Sequence, residues 1–315
     1  MKLTVIGHLC KDFVHLPKET DDSMESSYGG ILYSVLTLAH VMEERDTIYP
    51  IFGVGIGDYD DVIARLKKFP NIDVDGIFRF KGRTNEVHLF VQPGHASRIE
   101  CSKDISSPIP YSKIKSYLDA DGVLINMISG SDIALETLDM IRIELRENRI
   151  PIHLDFHSLT LGIDQEFKRF RRPLPEWRRW CFMMNSIQLS EDEAAGLTTE
   201  GYDEQTLINH LMPLMVNAFI VTRGDRGATL VQQDIHKKLT RTDMPAFDAG
   251  PTVETVGCGD VFGASYLFEF VRTKNPIQAA IFANRMAAVK STFRSIENLH
   301  LLRSHATTRE VSQQL

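Results

Sequence analysis

The stretch ETVGCGDVFGASYLFEFV, Glu254 to Val271, decides how this chain is read. Gly257 and Gly259 allow tight backbone turns, and the apolar run from Val261 reads as a helix with few polar positions. The N–H groups of such a loop and the positive end of the helix behind it converge on an anion. Asp260 is out of keeping with that. A carboxylate in the mouth of an anion-binding loop repels a phosphate unless it has another task, such as taking a proton from an attacking hydroxyl. The plainer alternative is an aspartate that merely caps the helix. Cys258 lies in the same loop, where a helix N-terminus would lower a thiol pKa and invite a nucleophile. No histidine partner for it is identifiable, and a cysteine also serves there simply as a small residue.

Outward from this loop, short apolar runs alternate with longer segments of helical period, the pattern of β-α-β units and a mainly parallel sheet. The strands are expected at LTVIG (3–7), TIYPIFGVG (47–55), GVLINM (122–127), the segment 150–156 and AFIVT (218–222). Helices are expected over Ile31 to Glu44, over Asp60 to Phe69 with Val62, Ile63, Leu66 and Phe69 on one face, and after Ser131 as a cap, with Ile133, Leu138, Ile141 and Leu145 inward. Asn275-Pro276 is a further helix start. Residues 8–28 and 77–101, the latter with its EVHLFVQ alternation, read as antiparallel strands of a small flap. No repeat or Pro/Gly/Ser linker divides the chain, so 1–315 is read as one large domain with a small β lid.

The 315 residues, with 35 Lys plus Arg against 42 Asp plus Glu, suit a large α/β domain and exclude a peptide hormone, a disulfide mini-protein and a disordered tail. The net charge of −7 argues against a general nucleic-acid binder. Four cysteines stand singly, with no C-x-x-C pair for zinc or redox chemistry, so a reduced, cytoplasmic setting is expected. No segment approaches the roughly 18 uninterrupted apolar residues of a membrane helix.

Other segments carry competing readings. GVGIGD (53–58) after a strand could be a dinucleotide loop, although its glycines lack the usual third position. His153, Asp155 and His157 alternate along an expected strand and could chelate a metal from one face, or be polar residues at a strand end that opens onto a crevice. FKRFRRPLPEWRRW (167–180) interleaves arginines with aromatics, as single-stranded nucleic-acid surfaces do. The alternative is a connection whose aromatics pack inward and whose arginines stay solvated.

ETVGCGDVF resembles the C-terminal signature of the ribokinase-like (PfkB) carbohydrate kinases, Asp-Thr-x-Gly-x-Gly-Asp-x-Phe. The resemblance extends over nearly the whole chain: Tyr28-Gly29-Gly30 before a helix, GVGIGD (53–58), SEDEAAGLT (190–198), VTRGDRGA (221–228) and FANRMAAV (282–289) follow the family's order of motifs. It implies a ribokinase-like, doubly wound α/β fold and transfer of the γ-phosphoryl group of ATP, with Mg2+, to an alcohol of a sugar or related polyol. A nucleoside kinase on the same fold, or a sugar or nucleotide sensor without turnover, is the alternative.

Carried over by position, the resemblance makes Asp260 the general base and the amides of Gly257, Cys258, Gly259 and Asp260 the anion hole. It links Glu193 to magnesium and phosphate placement, puts Thr222, Gly224 and Gly227 at the nucleotide turn, and sets Asn284 beside the base. Asp12, Gly29, Gly30, Ser34 and Asp58 fall at the substrate side. Four positions depart from the pattern: Cys10 and Ser34 replace asparagines at substrate positions, Ser190 replaces the Asn of Asn-x-x-Glu, and Glu254 replaces the leading Asp. The first two change which hydroxyls can be paired. Glu254 is one methylene longer than the family acid near a monovalent-cation site, so potassium dependence is left open. The expected partner is a small-molecule sugar or polyol, with no nucleic acid and no membrane; an exposed flap could also pair with its copy in a homodimer.

Overall fold

The computed structural model describes residues 1–15, 25–90, 99–234 and 236–306. Its strands are β1 (Lys2–Ile6), β2 (Leu9–His15), β3 (Glu25–Gly30), β4 (Thr47–Gly55), β5 (Ile77–Phe80), β6 (Asn85–Phe90), β7 (Ile99–Lys103), β8 (Gly122–Asn126), β9 (Ile152–Asp155), β10 (Leu161–Ile163), β11 (Arg169–Arg171), β12 (Ser186–Ser190), β13 (Ala218–Thr222), β14 (Ala228–Gln233) and β15 (Leu239–Met244). A nine-stranded sheet runs β15-β14-β13-β12-β9-β8-β1-β4-β5. Its pairings are parallel from β5 through β13, and β14 and β15 add an antiparallel edge. The expected α/β class with a mainly parallel sheet is what is found.

The strand sequences explain this layering. A strand covered on both faces reads as a continuous apolar run, and β8, GVLIN, is buried throughout. Val123 and Ile125 point into one core, together with Ile6, Ile51 and Leu154. Leu124 points into the other, with Leu3, Val5 and Phe52 and the helices Ile31–Val41 and Cys258–Thr273. Each such side chain contributes about 1.5–3 kcal/mol by leaving water. The helix Pro276–Ser291 starts as the sequence predicts: the Asn275 side chain accepts from the N–H groups of Ile277 and Gln278 at 3.1 and 3.2 Å, and Pro276 needs no acceptor.

Two local expectations change. Ser131 does not cap the next helix, which starts at Leu135; the buried Asp132 carboxylate instead ties the turn by accepting from Ser129 N and Gly130 N, and from His8 N at 2.6 Å. Ile77–Phe80 is not part of the flap. Its residues pair parallel with β4 and extend the main sheet, because Ile77 belongs to the same core as Phe52.

The flap is a second sheet, ordered β3-β2-β6-β7. β2/β3 and β6/β7 are antiparallel, but β2 and β6 run parallel, so the lid is mixed. Parts of the expected flap, at 16–24 and 91–98, lie outside the described residues. Among the described residues no helix is long and apolar enough to cross a membrane.

Candidate active site

β8, β9, β12 and β13 end side by side at Asn126, Asp155, Ser190 and Thr222, and parallel strands gather their polar residues at such C-terminal ends. The helix Cys258–Thr273 begins over this edge. Gly257, at its N-cap, has φ +80°, and a Cβ there would run into the Tyr33 ring, so both conformation and space demand glycine. The N-cap residue, a glycine, brings no side chain to the free N–H groups of this helix start.

Asp260 is 4% exposed, and its Oδ1 accepts from Asn126 Nδ2 at 2.6 Å. Burial pushes its carboxyl up from the ordinary 3.8, against the opposing pull of His157, whose Nε2 lies 4.0 Å from Oδ1, and of the Asn126 amide. A buried carboxyl raised in this way is better matched to accept a proton near neutral pH than an exposed one. Asn126 escaped the sequence reading; its signal is the single polar residue closing an apolar strand at its C-terminal end.

The alternative of a one-faced metal triad does not fit the placement of these residues. β9 ends at Asp155, and His157 stands beyond it in a turn at φ +39°. His153 is enclosed in a polar chain: Ser186 Oγ at 2.7 Å from its Nδ1, Gln188 Oε1 at 3.3 Å from its Nε2, and Gln188 Nε2 donating on to Asp155 and to the Gly259 carbonyl at 2.9 Å. Burial lowers its pKa to about 4, so the ring is neutral. Among the described residues no group of three or more His, Cys, Asp or Glu could hold a metal. His157 is instead a cavity residue. Burial would lower its pKa, but Asp260, Asp155 and Glu193 around it win and raise it.

A cavity of about 910 Å³ opens here, lined from Asp12 and Gly30 of the lid through Gly257 to Asp260 and on to Gly224, Gly227 and Asn284. Space of this size suits two small ligands held end to end. Glu193 and Ser190 form a capping box at the helix Glu191–Ala195: Ser190 N donates to Glu193 Oε2 at 2.8 Å, and Glu193 N to Ser190 Oγ. The departure at Ser190 therefore supplies a helix cap, and Glu193 is held at the cavity with its pKa raised by burial. Gly224 and Gly227 turn β13 into β14 at φ +59° and +86°. Thr222 donates weakly to Leu189 O, and Asn284 Nδ2 to Pro245 O at 2.8 Å.

On the other side Asp12 leans over Gly29 so closely that any Cβ on Gly29 would strike its carboxylate. Cys10 also lines the cavity, and burial holds its thiol well above 9.0, as an uncharged group. Of three further residues expected at the ligand, Ser34 and Asp58 lie outside the cavity lining and Cys258 lies on it. Ser34 is fully buried outside the cavity lining, donating to the Asp260 carbonyl and accepting from Asn126, so it ties these two residues together. Asp58 lies outside the lining as well. It accepts from Lys11 Nζ at 2.8 Å, Thr84 Oγ1 at 2.6 Å and Tyr28 OH at 3.2 Å, clasping the lid base to the end of β4. Cys258 lines the cavity, but its N–H turns back to Thr255 O at 3.2 Å, so its amide is partly withdrawn from an anion hole.

In the 167–180 run, Trp177 and Trp180 are buried in the core, while Phe167 and Phe170 are about half exposed. Arg169 is tied to Ser102 and to the Ser129 carbonyl, and Arg179 to Asp139. Most of the pattern is thus spent on packing.

Residues 175–295 match the family model described as pfkB family carbohydrate kinase. No curated protein matches the sequence. Among solved structures, ribokinase from Thermotoga maritima is similar at a TM-score of 0.72 and 19% identity, covering 96% of this chain and 97% of that one. Arabidopsis thaliana ribokinase complexed with ribose and ATP gives 0.72 and 18%, covering 93% of each. A pyrophosphate-dependent kinase of the ribokinase family, complexed with a pyrophosphate analog and myo-inositol, gives 0.75 and 16%, covering 96% and 99%. The chain therefore carries the ribokinase-like fold over nearly its whole length, and its segment 175–295 is similar to the pfkB family carbohydrate kinases.

Proposed function

We propose that this protein transfers the γ-phosphoryl group of ATP to a hydroxyl of a sugar or related polyol, in the cytoplasm. The observation that carries the reading is Asp260: a buried carboxylate in the first turn of a helix whose glycine-rich N-terminus lines one cavity. The acceptor would lie between Asp12 and Asp260, and Asp12 as an acceptor-only carboxylate suits a pair of hydroxyls. As the acceptor oxygen bonds to the γ-phosphorus, its proton passes to Asp260 and the bond to the β–γ bridging oxygen breaks, releasing ADP. N–H groups at the helix start face the charge on the transferring group. The lid, clasped at Asp58, keeps water from taking the acceptor's place.

The donor set fits magnesium only in part. Glu193 is a single carboxylate at the cavity with one oxygen engaged by Ser190, which suits an ion that arrives with the nucleotide and keeps water between itself and the protein. Such an ion would supply charge neutralisation of the phosphates when bound. The test is ADP release from ATP and magnesium across sugars, polyols and nucleosides, with inorganic pyrophosphate as a second donor and Asp260→Asn alongside. Acceptor-dependent turnover that collapses in the variant supports the reading and names the acceptor class. ATP binding without turnover on any acceptor favours a sensor, and no ATP binding removes the proposal.

A further inference from the structure

Lys290 is fully buried, and the reaction as described makes no use of it. An ammonium without water needs a counter-charge and acceptors for its protons. It has both: Nζ lies 3.4 Å from Glu254 Oε2, donates to the Phe293 carbonyl at 3.1 Å, and sits 5.5 and 5.2 Å from the ring centroids of Tyr33 and Phe293. Glu254 Oε2 also accepts from Ser295 N at 3.3 Å, and Glu254 N donates to Ser291 O at 3.1 Å. These contacts fix the first residue of the ETVGCGD loop to the end of the helix Pro276–Ser291. The same Tyr33 ring packs against Gly257, where the loop becomes the helix N-terminus.

We propose that Lys290 is a positioning residue: its ammonium is a built-in cation that holds Glu254 and sets the anion-binding loop, so this protein needs no potassium ion there. The carboxylate that the family resemblance puts near a monovalent-cation site already faces a fixed positive charge. A second cation beside it would meet repulsion from the ammonium. In the sequence the lysine follows the apolar run MAAV (286–289).

The part of the inference that concerns rate rests on the kinase reading, so the test carries two readouts. Turnover and calorimetric ATP affinity are measured with tetramethylammonium as the sole monovalent cation and again in saturating potassium chloride. Wild type is expected to be the same in both. Lys290→Ala is expected to lose about tenfold or more in kcat/KM for ATP, and to regain part of it with potassium or ammonium ions that can enter the vacated space. Lys290→Arg should retain more than Lys290→Ala. Potassium activation of the wild type, a fully active Lys290→Ala, or a folded Lys290→Ala that no cation repairs overturns the proposal. If Lys290→Ala does not fold, Glu254→Gln is the second variant: weaker ATP binding is expected, and unchanged binding overturns. Absence of wild-type turnover on every acceptor would sink the kinase reading alone. The potassium dependence of ATP affinity would then still decide the role of Lys290.

Discussion

Asp260→Asn keeps an oxygen for the Asn126 amide and removes the charge, so it separates proton transfer from packing. A fall in kcat of about 10²–10⁴-fold with ATP affinity little changed is expected by stopped-assay and calorimetry. Because burial lifts the Asp260 pKa and His157 restrains the rise, the acid limb of the pH–rate profile should lie above 3.8. His157→Gln should move that limb to higher pH still, since the restraining charge is gone; an unmoved limb would mean His157 does not act on the base. Gly257→Ala puts a methyl into the Tyr33 ring at φ +80°. Strain there of about 1–3 kcal/mol should lower the melting temperature and abolish turnover together.

At the level of single elements, the capping box and the lid clasp are the informative contacts. Ser190→Ala removes the side-chain acceptor of Glu193 N and should cost about 0.5–2 kcal/mol in urea unfolding, while loosening Glu193 at the cavity. Asp58→Ala releases Lys11, Thr84 and Tyr28, the contacts between lid and main sheet. Faster hydrogen exchange over 25–30 and 85–90, with β1 and β8 unchanged, is the expected outcome, along with a raised acceptor KM. Burial would raise the Asp58 pKa, but its hydrogen bonds from Lys11 and Thr84 hold it below 3.8. The clasp therefore contributes fully above the ordinary value and weakens only as pH falls through the depressed one.

Over the whole molecule, three core clusters lie among the described residues, and β8 feeds the two largest, one on each of its faces. Leu124→Ala and Ile125→Ala open cavities on opposite faces, each expected to cost about 2–5 kcal/mol. If the sheet couples the faces, both variants shift one common unfolding transition seen alike by circular dichroism and tryptophan fluorescence. Two separate transitions would show that the faces unfold apart.

The sequence by itself determined the sheet, because buried parallel strands must be short apolar runs and their helices must keep a 3.6 period, as β8 and the helix Ile31–Val41 do. It also marked the helix over Cys258–Thr273 and the loop before it, since backbone turns at Gly257 and Gly227 admit no side chain. Partnerships across the fold were not legible, because hydrogen bonds between residues a hundred positions apart leave no periodicity. Only the tertiary structure paired Asn126 and Ser34 with Asp260 and gave Asp58 to the lid clasp. It likewise moved Ile77–Phe80 into the main sheet, closed His153 into a polar chain, and set the ammonium of Lys290 against Glu254. Ile77–Phe80 was placed by the apolar core it shares with Phe52, and the others by which polar group needed which partner once water had been excluded.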